Sequence, residues 1–205
     1  MSPEEIQAQL ADYQPDLNAD QQELLARFQL LLLRWNKTHN LTAITDPSEM
    51  VTHHLIDSIS INPYLTAESI ADIGSGGGLP AIPLAILNPQ RQFTLIEAVE
   101  KKVNFLRQAA IELGLNNTVA VHCRVEEYQP ESDFGQISSR AFASISDFIE
   151  GSRHLLAPDG QWLAMKGRLP EAELAALADN FKYTVRPLTV PGLEASRHLI
   201  TINNG

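Results

Sequence analysis

The chain has little with which to cross-link itself. A single cysteine, Cys123, among 205 residues excludes an internal disulfide and any zinc site built from several cysteines of one chain. At the end of an apolar run it reads as a small packing residue. Positive charge is also scarce: 15 Lys and Arg against 25 Asp and Glu give a formal net charge of −10, which by itself argues against a polyanionic partner. The deficit is local, however. Residues 1–26 hold Glu4, Glu5, Asp12, Asp16, Asp20 and Glu23 and no Lys or Arg, so the rest of the chain is nearly balanced and has room for a basic face. No apolar run approaches the roughly 20 residues that span a bilayer, and the first residues are acidic where a leader would be basic, so a cytoplasmic location is expected.

What is present suits one sizeable core with a small appendage. Leu24, Leu25, Phe28, Leu31, Leu32 and Trp35 recur on one helical face, with Asn18 as cap. "NKTHNLTAIT" reads as a loop, and a second helix is expected from Pro47 to Ile61 with Met50, Leu55 and Ile59 inward. From Ser69 short apolar runs alternate with helical ones. Strands are expected at "SIADI", "QFTLIEA", "TVAVHC", "FGQISSR" and "GQWLAMKG", and helices at 80–87, 99–113, 144–156 and 170–179. Strict alternation implies crossovers and a mostly parallel sheet. The last two strands, "NFKYTVRPLTV" and "SRHLITIN", imply a hairpin that sets one antiparallel strand into a seven-stranded sheet. The expected organisation is residues 1–66 as helices packed on a main α/β domain, 67–205.

The motif that carries chemistry is "ADIGSGGGLPAI" at residues 71–82. In such a fold the first strand-to-helix turn binds a nucleoside-bearing ligand. Gly74, Gly76 and Gly78 give G-x-G-x-G, followed by Leu79 and Pro80, rather than the G-x-G-x-x-G of dinucleotide sites. Asp72 adds a negative charge that repels a diphosphate and welcomes an ammonium. Glu97, at the end of the second strand, is placed for a ribose diol. The pattern favours S-adenosylmethionine over NAD, with an NAD oxidoreductase as the fold-level alternative.

Beside that turn stand "NLTAIT" (40–45), "HHLIDS" (53–58), "EAVEKKVNFL" (97–106), "RVEEY" (124–128), "SSRA" (138–141) and "MKG" (165–167), in this order. Together these blocks resemble the bacterial ribosomal RNA small subunit methyltransferase G family, also called glucose-inhibited division protein B. Leu79 stands where that family often has an aromatic and Ala81 where glycine is common. The resemblance implies a Rossmann-like class I methyltransferase that uses S-adenosylmethionine to methylate N7 of a guanine in 16S rRNA. It also implies that Gly74 and Leu79 line the methionine end, Glu97 the ribose, Val125 and Glu126 the adenine, and Arg140 the mouth of the cofactor site.

Transfer from a sulfonium needs donor, methyl and acceptor in line. Guanine N7 has an in-plane lone pair and no proton to lose, so no general base is required. The sequence lacks the signs of rival methylations: Cys123 is misplaced for pyrimidine attack, and "SSRAFA" stands where amino-group methyltransferases carry an Asn/Asp-Pro-Pro-aromatic turn. Arg140, Lys166 and Arg197 are nominated as the catalytic, RNA-facing set because arginine forks suit O6 and phosphate. Arg197 depends on the direction of the last strand. Lys101, Lys102, Arg107 and Arg124 extend the surface toward phosphates or are solvated charges. His39, His53 and His54 have no metal-binding spacing and read as caps or buried histidines, with RNA contact the sharper reading; Asn40 and Asp57 read as junction residues. Two alternatives stay open: a methyltransferase for a small molecule or protein, and a non-catalytic, cofactor-responsive RNA-binding protein. Partners are 16S rRNA or the small-subunit particle, with no membrane or metal and a monomeric protein.

Overall fold

A computed structural model describes residues 1–140, 142, 144–177 and 181–204. Helix α1 (Pro3–Tyr13) was not expected. Ser2 accepts from the Glu5 amide and Glu5 from the Ser2 amide, a reciprocal cap, while Ile6 and Leu10 supply its apolar stripe. Helix α2 (Ala19–His39) starts at Asn18 as expected, capped reciprocally with Gln21, but runs into the stretch read as a loop. It ends where Asn40 adopts a left-handed conformation, φ 50°. The helix over 47–59 is split into α3 (Pro47–Met50), a π-helical turn (Val51–Ile56) and α4 (Asp57–Ile59).

The sheet comprises β1 (Ser69–Ile73), β2 (Gln92–Glu97), β3 (Thr118–His122), β4 (Phe134–Ser139), β5 (Leu156–Lys166), β6 (Phe181–Pro187) and β7 (His198–Asn204). Among the described residues it has seven strands in the order β3-β2-β1-β4-β5-β7-β6. β1 to β5 pair in parallel, and β7 lies antiparallel between β5 and β6. The expected hairpin is therefore present, and its second strand is the inner one. Helices α5 (Ala81–Leu87), α6 (Glu100–Leu113), α7 (Ile145–Ser152) and α8 (Glu171–Ala175) fill the crossovers. The helix expected over 170–179 is described only in part: its last two positions, the Asn180 start of the next run and Ala141 of "SSRA" lie outside the described residues.

Strand alternation sorts the core into two layers. Ile70, Phe93, Leu95, Leu163, Met165 and Leu199 pack with α1, α2, the 47–59 segment, α5 and α6. Ala71, Ile73, Ile96, Trp162, Ala164 and Ile200 pack with α7 and α8. Asp72, Ser138 and Arg140 alternate onto the first layer, so the N-terminal helices face the end of β4. That placement builds the site.

Candidate functional site

Two cavities open along the edge where β1 to β5 end. The first, about 180 Å³, is walled by Ile73 and Gly74 at the end of β1, Glu97 at the end of β2, and Cys123 to Glu126 after β3, together with Phe142. Gly74 has φ +69°, and a Cβ built there meets no atom within 4 Å, so the backbone is bare toward open space. Glu97 is held by the turn it faces: one oxygen accepts from the Gly76 amide and the other from the Val99 amide, both at 2.9 Å. Each carboxylate oxygen keeps a further lone pair, which leaves capacity for a ribose diol.

Gly78, at φ +78°, is glycine for another reason. A Cβ there would sit 2.6 Å from Ile82 Cγ1, so its role is close packing of turn on helix. Leu79 is 6% exposed and belongs to the core cluster. Asp72, Gly76, Gly78 and Leu79 are not among the residues lining this cavity; Gly74, Glu97, Val125, Glu126 and Arg124 are. Cys123, read from sequence as packing, is part of the wall; a thiol at a strand end carries no signal that separates the two.

Beneath the turn Asp72 is buried. Its Oδ1 accepts from the Ser138 hydroxyl at 2.8 Å, and Oδ2 has no partner among the described residues. Burial pushes its pKa up to about 7, against the pull of the Ser138 and Ser75 hydroxyls and the Arg140 charge.

The second cavity, about 300 Å³, gathers Arg140 after β4, Met165 and Lys166 at the end of β5, and Arg197 before β7. The antiparallel course of β7 brings Arg197 to this edge, so the three nominated cations converge. Each has an acidic neighbour. Arg140 Nη1 donates to Asp57 Oδ2 at 3.4 Å and to the His53 carbonyl at 3.2 Å, and Arg197 Nε donates to Asp57 Oδ1 at 2.8 Å. Lys166 Nζ donates to Glu173 and to the Phe142 carbonyl, both at 3.3 Å. Phe142, which lines the first cavity, is thus tied by its carbonyl to a cation of the second. Burial pushes the Arg140 guanidinium down from its ordinary value, and Asp57 and Asp72 hold it back.

His53 and His54 also line this cavity. His54 is 4% exposed, its Nε2 lies 2.7 Å from Thr42 Oγ1, and Nδ1 is buried without a partner among the described residues. Burial, then the Arg140 charge, lowers its pKa to about 4, so it is neutral at pH 7. His39 instead lies 4.9 Å from the Trp35 ring at the end of α2. Lys101 and Lys102 open α6 and line neither cavity; Lys101 and Arg107 are exposed, Lys102 half-buried. Among the described residues no cluster of His, Cys, Asp or Glu suits a metal, and no helix is long and apolar enough to cross a membrane.

Residues 21–200 match the family model described as rRNA small subunit methyltransferase G. A relative from Methylobacillus flagellatus, named Ribosomal RNA small subunit methyltransferase G, is 50% identical over 90% of each chain. The chain belongs to this family. Another member, from Chromobacterium violaceum, is 48% identical over 96% of this chain and 95% of its own. Among solved structures, a putative O-methyltransferase from Klebsiella pneumoniae superposes with a TM-score of 0.63 at 13% identity, covering 98% of this chain and 97% of its own. M. jannaschii TYW2 in complex with AdoMet superposes at 0.55 and 14% identity, over 74% and 76%. At these identities the superpositions speak for the methyltransferase fold. Family membership bears out the sequence resemblance, and the sheet order with these superpositions bears out the Rossmann-like assignment.

Proposed function

We propose that the chain transfers a methyl group from S-adenosylmethionine to N7 of a guanine in 16S rRNA, free or in the small-subunit particle, as a cytoplasmic monomer. The observation that carries this reading is a pair of cavities at the same end of the parallel strands, linked by the Lys166 to Phe142 hydrogen bond, one with a bare glycine turn and a poised carboxylate, the other with three cations.

The cofactor, when bound, supplies the electrophilic methyl. In this reading Gly74 gives it close approach to the backbone, Glu97 accepts from the ribose hydroxyls, and Val125 and Glu126 flank the adenine. Leu79 supports the turn from behind. An anionic Asp72 below Gly74 favours the cationic amino-acid end by charge. Arg140, Lys166 and Arg197 hold the guanine edge and its phosphates, and Lys101, Lys102 and Arg124 add long-range attraction for RNA. The N-terminal helices, 1–66, act with 67–205 as one unit because they wall the acceptor cavity. The two carboxylates beside these cations are already paired, Asp57 with the arginines and Glu173 with Lys166, so neither is free to act as a general base. That suits a ring nitrogen, which has no proton to surrender.

The test is transfer of labelled methyl to small-subunit particles and rRNA from a strain lacking this gene, with the nucleoside identified by mass. Label as 7-methylguanosine at one position is the expected result. Cofactor binding with no label in RNA would overturn the proposed substrate.

A further inference from the structure

We propose that Asp57 is a positioning residue, aimed by the π-helical turn before it, that holds the Arg140 and Arg197 guanidiniums as one fixed pair facing the acceptor. The inference rests on the RNA reading above. Asp57 comes from the N-terminal helices, 83 residues from Arg140 and 140 from Arg197 in sequence, yet each of its carboxylate oxygens is taken by a different arginine. Its side chain is 3% exposed, against 26% and 20% for the two arginines. The carboxylate is thus the buried anchor and the guanidiniums are the faces turned to the cavity. One negative charge between two positive ones leaves the group net cationic, so it still attracts an anionic partner.

The π turn explains the aim. It carries one residue more than an α-helical turn would, and removing that residue would rotate everything beyond it by about 100°. Asp57 would then swing off the arginines. The same turn presents the His53 carbonyl to Arg140 Nη1 at 3.2 Å, so two acceptors, one in the distorted turn and one directly after it, fix one guanidinium. Unrestrained, two arginines sample many rotamers, and ordering them would fall on the reaction step. Prior ordering removes that cost where charge must already be in place.

The experiment compares Asp57→Asn and Asp57→Glu in the full chain. The readouts are kcat and KM on small-subunit particles, cofactor affinity by calorimetry, melting temperature, and the Nε–H signals of Arg140 and Arg197 by nitrogen-15 NMR. Asp57→Asn keeps the shape but not the charge. It is expected to lower kcat about ten- to a hundredfold, on the scale of a misplaced catalytic group, with cofactor affinity within about threefold. Both arginine signals should move toward those of solvated side chains. Asp57→Glu, which keeps the charge one methylene further out, should recover part of kcat, and it carries the test if the asparagine variant does not fold. Adding Arg197→Ala to Asp57→Asn should slow transfer by less than the product of the two single effects. A lowered melting temperature with wild-type kcat and unmoved arginine signals would overturn the inference and leave an ordinary structural ion pair. If the wild type methylates no RNA, the proposed function fails separately, and the arginine signals alone decide whether Asp57 orders the pair.

Discussion

Two buried groups near Arg140 titrate in opposite senses, and their effects on stability should nearly cancel in the wild type. Asp72 is raised from its ordinary 3.8 to about 7. Its contribution is fully present below about pH 4 and is lost as pH rises through about 7. His54 is lowered from 6.5 to about 4. Its contribution is present above about pH 6.5 and is lost as pH falls toward about 4. Between about pH 5 and 8, linkage gives a loss of about 2–3 kcal/mol from Asp72 and a gain of about 2 kcal/mol from His54. The variants Asp72→Asn and His54→Gln should uncouple them. Thermal unfolding across this range should show a nearly level wild-type melting temperature. For Asp72→Asn it should rise by about 4–8 °C with pH, and for His54→Gln fall by about 5–10 °C, at about 2–4 °C per kcal/mol for a chain of this size. Both single variants running parallel to the wild type would refute the opposed burial of these two groups.

Cofactor binding should release protons near neutral pH, because a cationic ligand above Asp72 favours its anion; about half a proton is expected at pH 7, read by calorimetry in buffers of different ionisation heat. Gly78→Ala should destabilise by about 1–3 kcal/mol through its clash with Ile82, measured by denaturant unfolding. Gly74→Ala, which clashes with nothing but forces a side chain into the left-handed region, should cost about 1–2 kcal/mol of stability and also lose cofactor affinity, read by denaturant unfolding and by titration. Glu97→Gln keeps an acceptor for one loop amide and should weaken cofactor binding roughly tenfold; Glu97→Ala, which orphans the amides of Gly76 and Val99, should weaken it further and lower the melting temperature.

Local features read well from sequence. The Asn18 cap, the strand at 69–73 and the glycine turn are each written within a few residues. Helix α1 was also written, in Ser2 and Glu5, but its stripe of two buried residues is too short to stand out as a period. Where α2 ends was misjudged because the His39 contact with Trp35 outweighs the loop-like composition of that stretch. The π turn has no composition of its own. The second cavity was least legible: its cations could be nominated by strand position, but their shared carboxylate arrives from helices far away in sequence. Asp57 gave no local sign of a role beyond joining two parts of the fold.

The placement of β7 bears on how the second cavity is made. Among the described residues β6 finds its sheet partner only in β7, and β7 reaches β5 across a register that pairs Lys166 with His198. β6 therefore joins the sheet through β7, so the completeness of this end rests on the β5–β7 pairing. Arg197 stands immediately before β7. The second cavity therefore depends on that pairing: without β7 seated on β5 it would lack Arg197, whereas, among the described residues, the first cavity draws on nothing beyond β4 except Phe142.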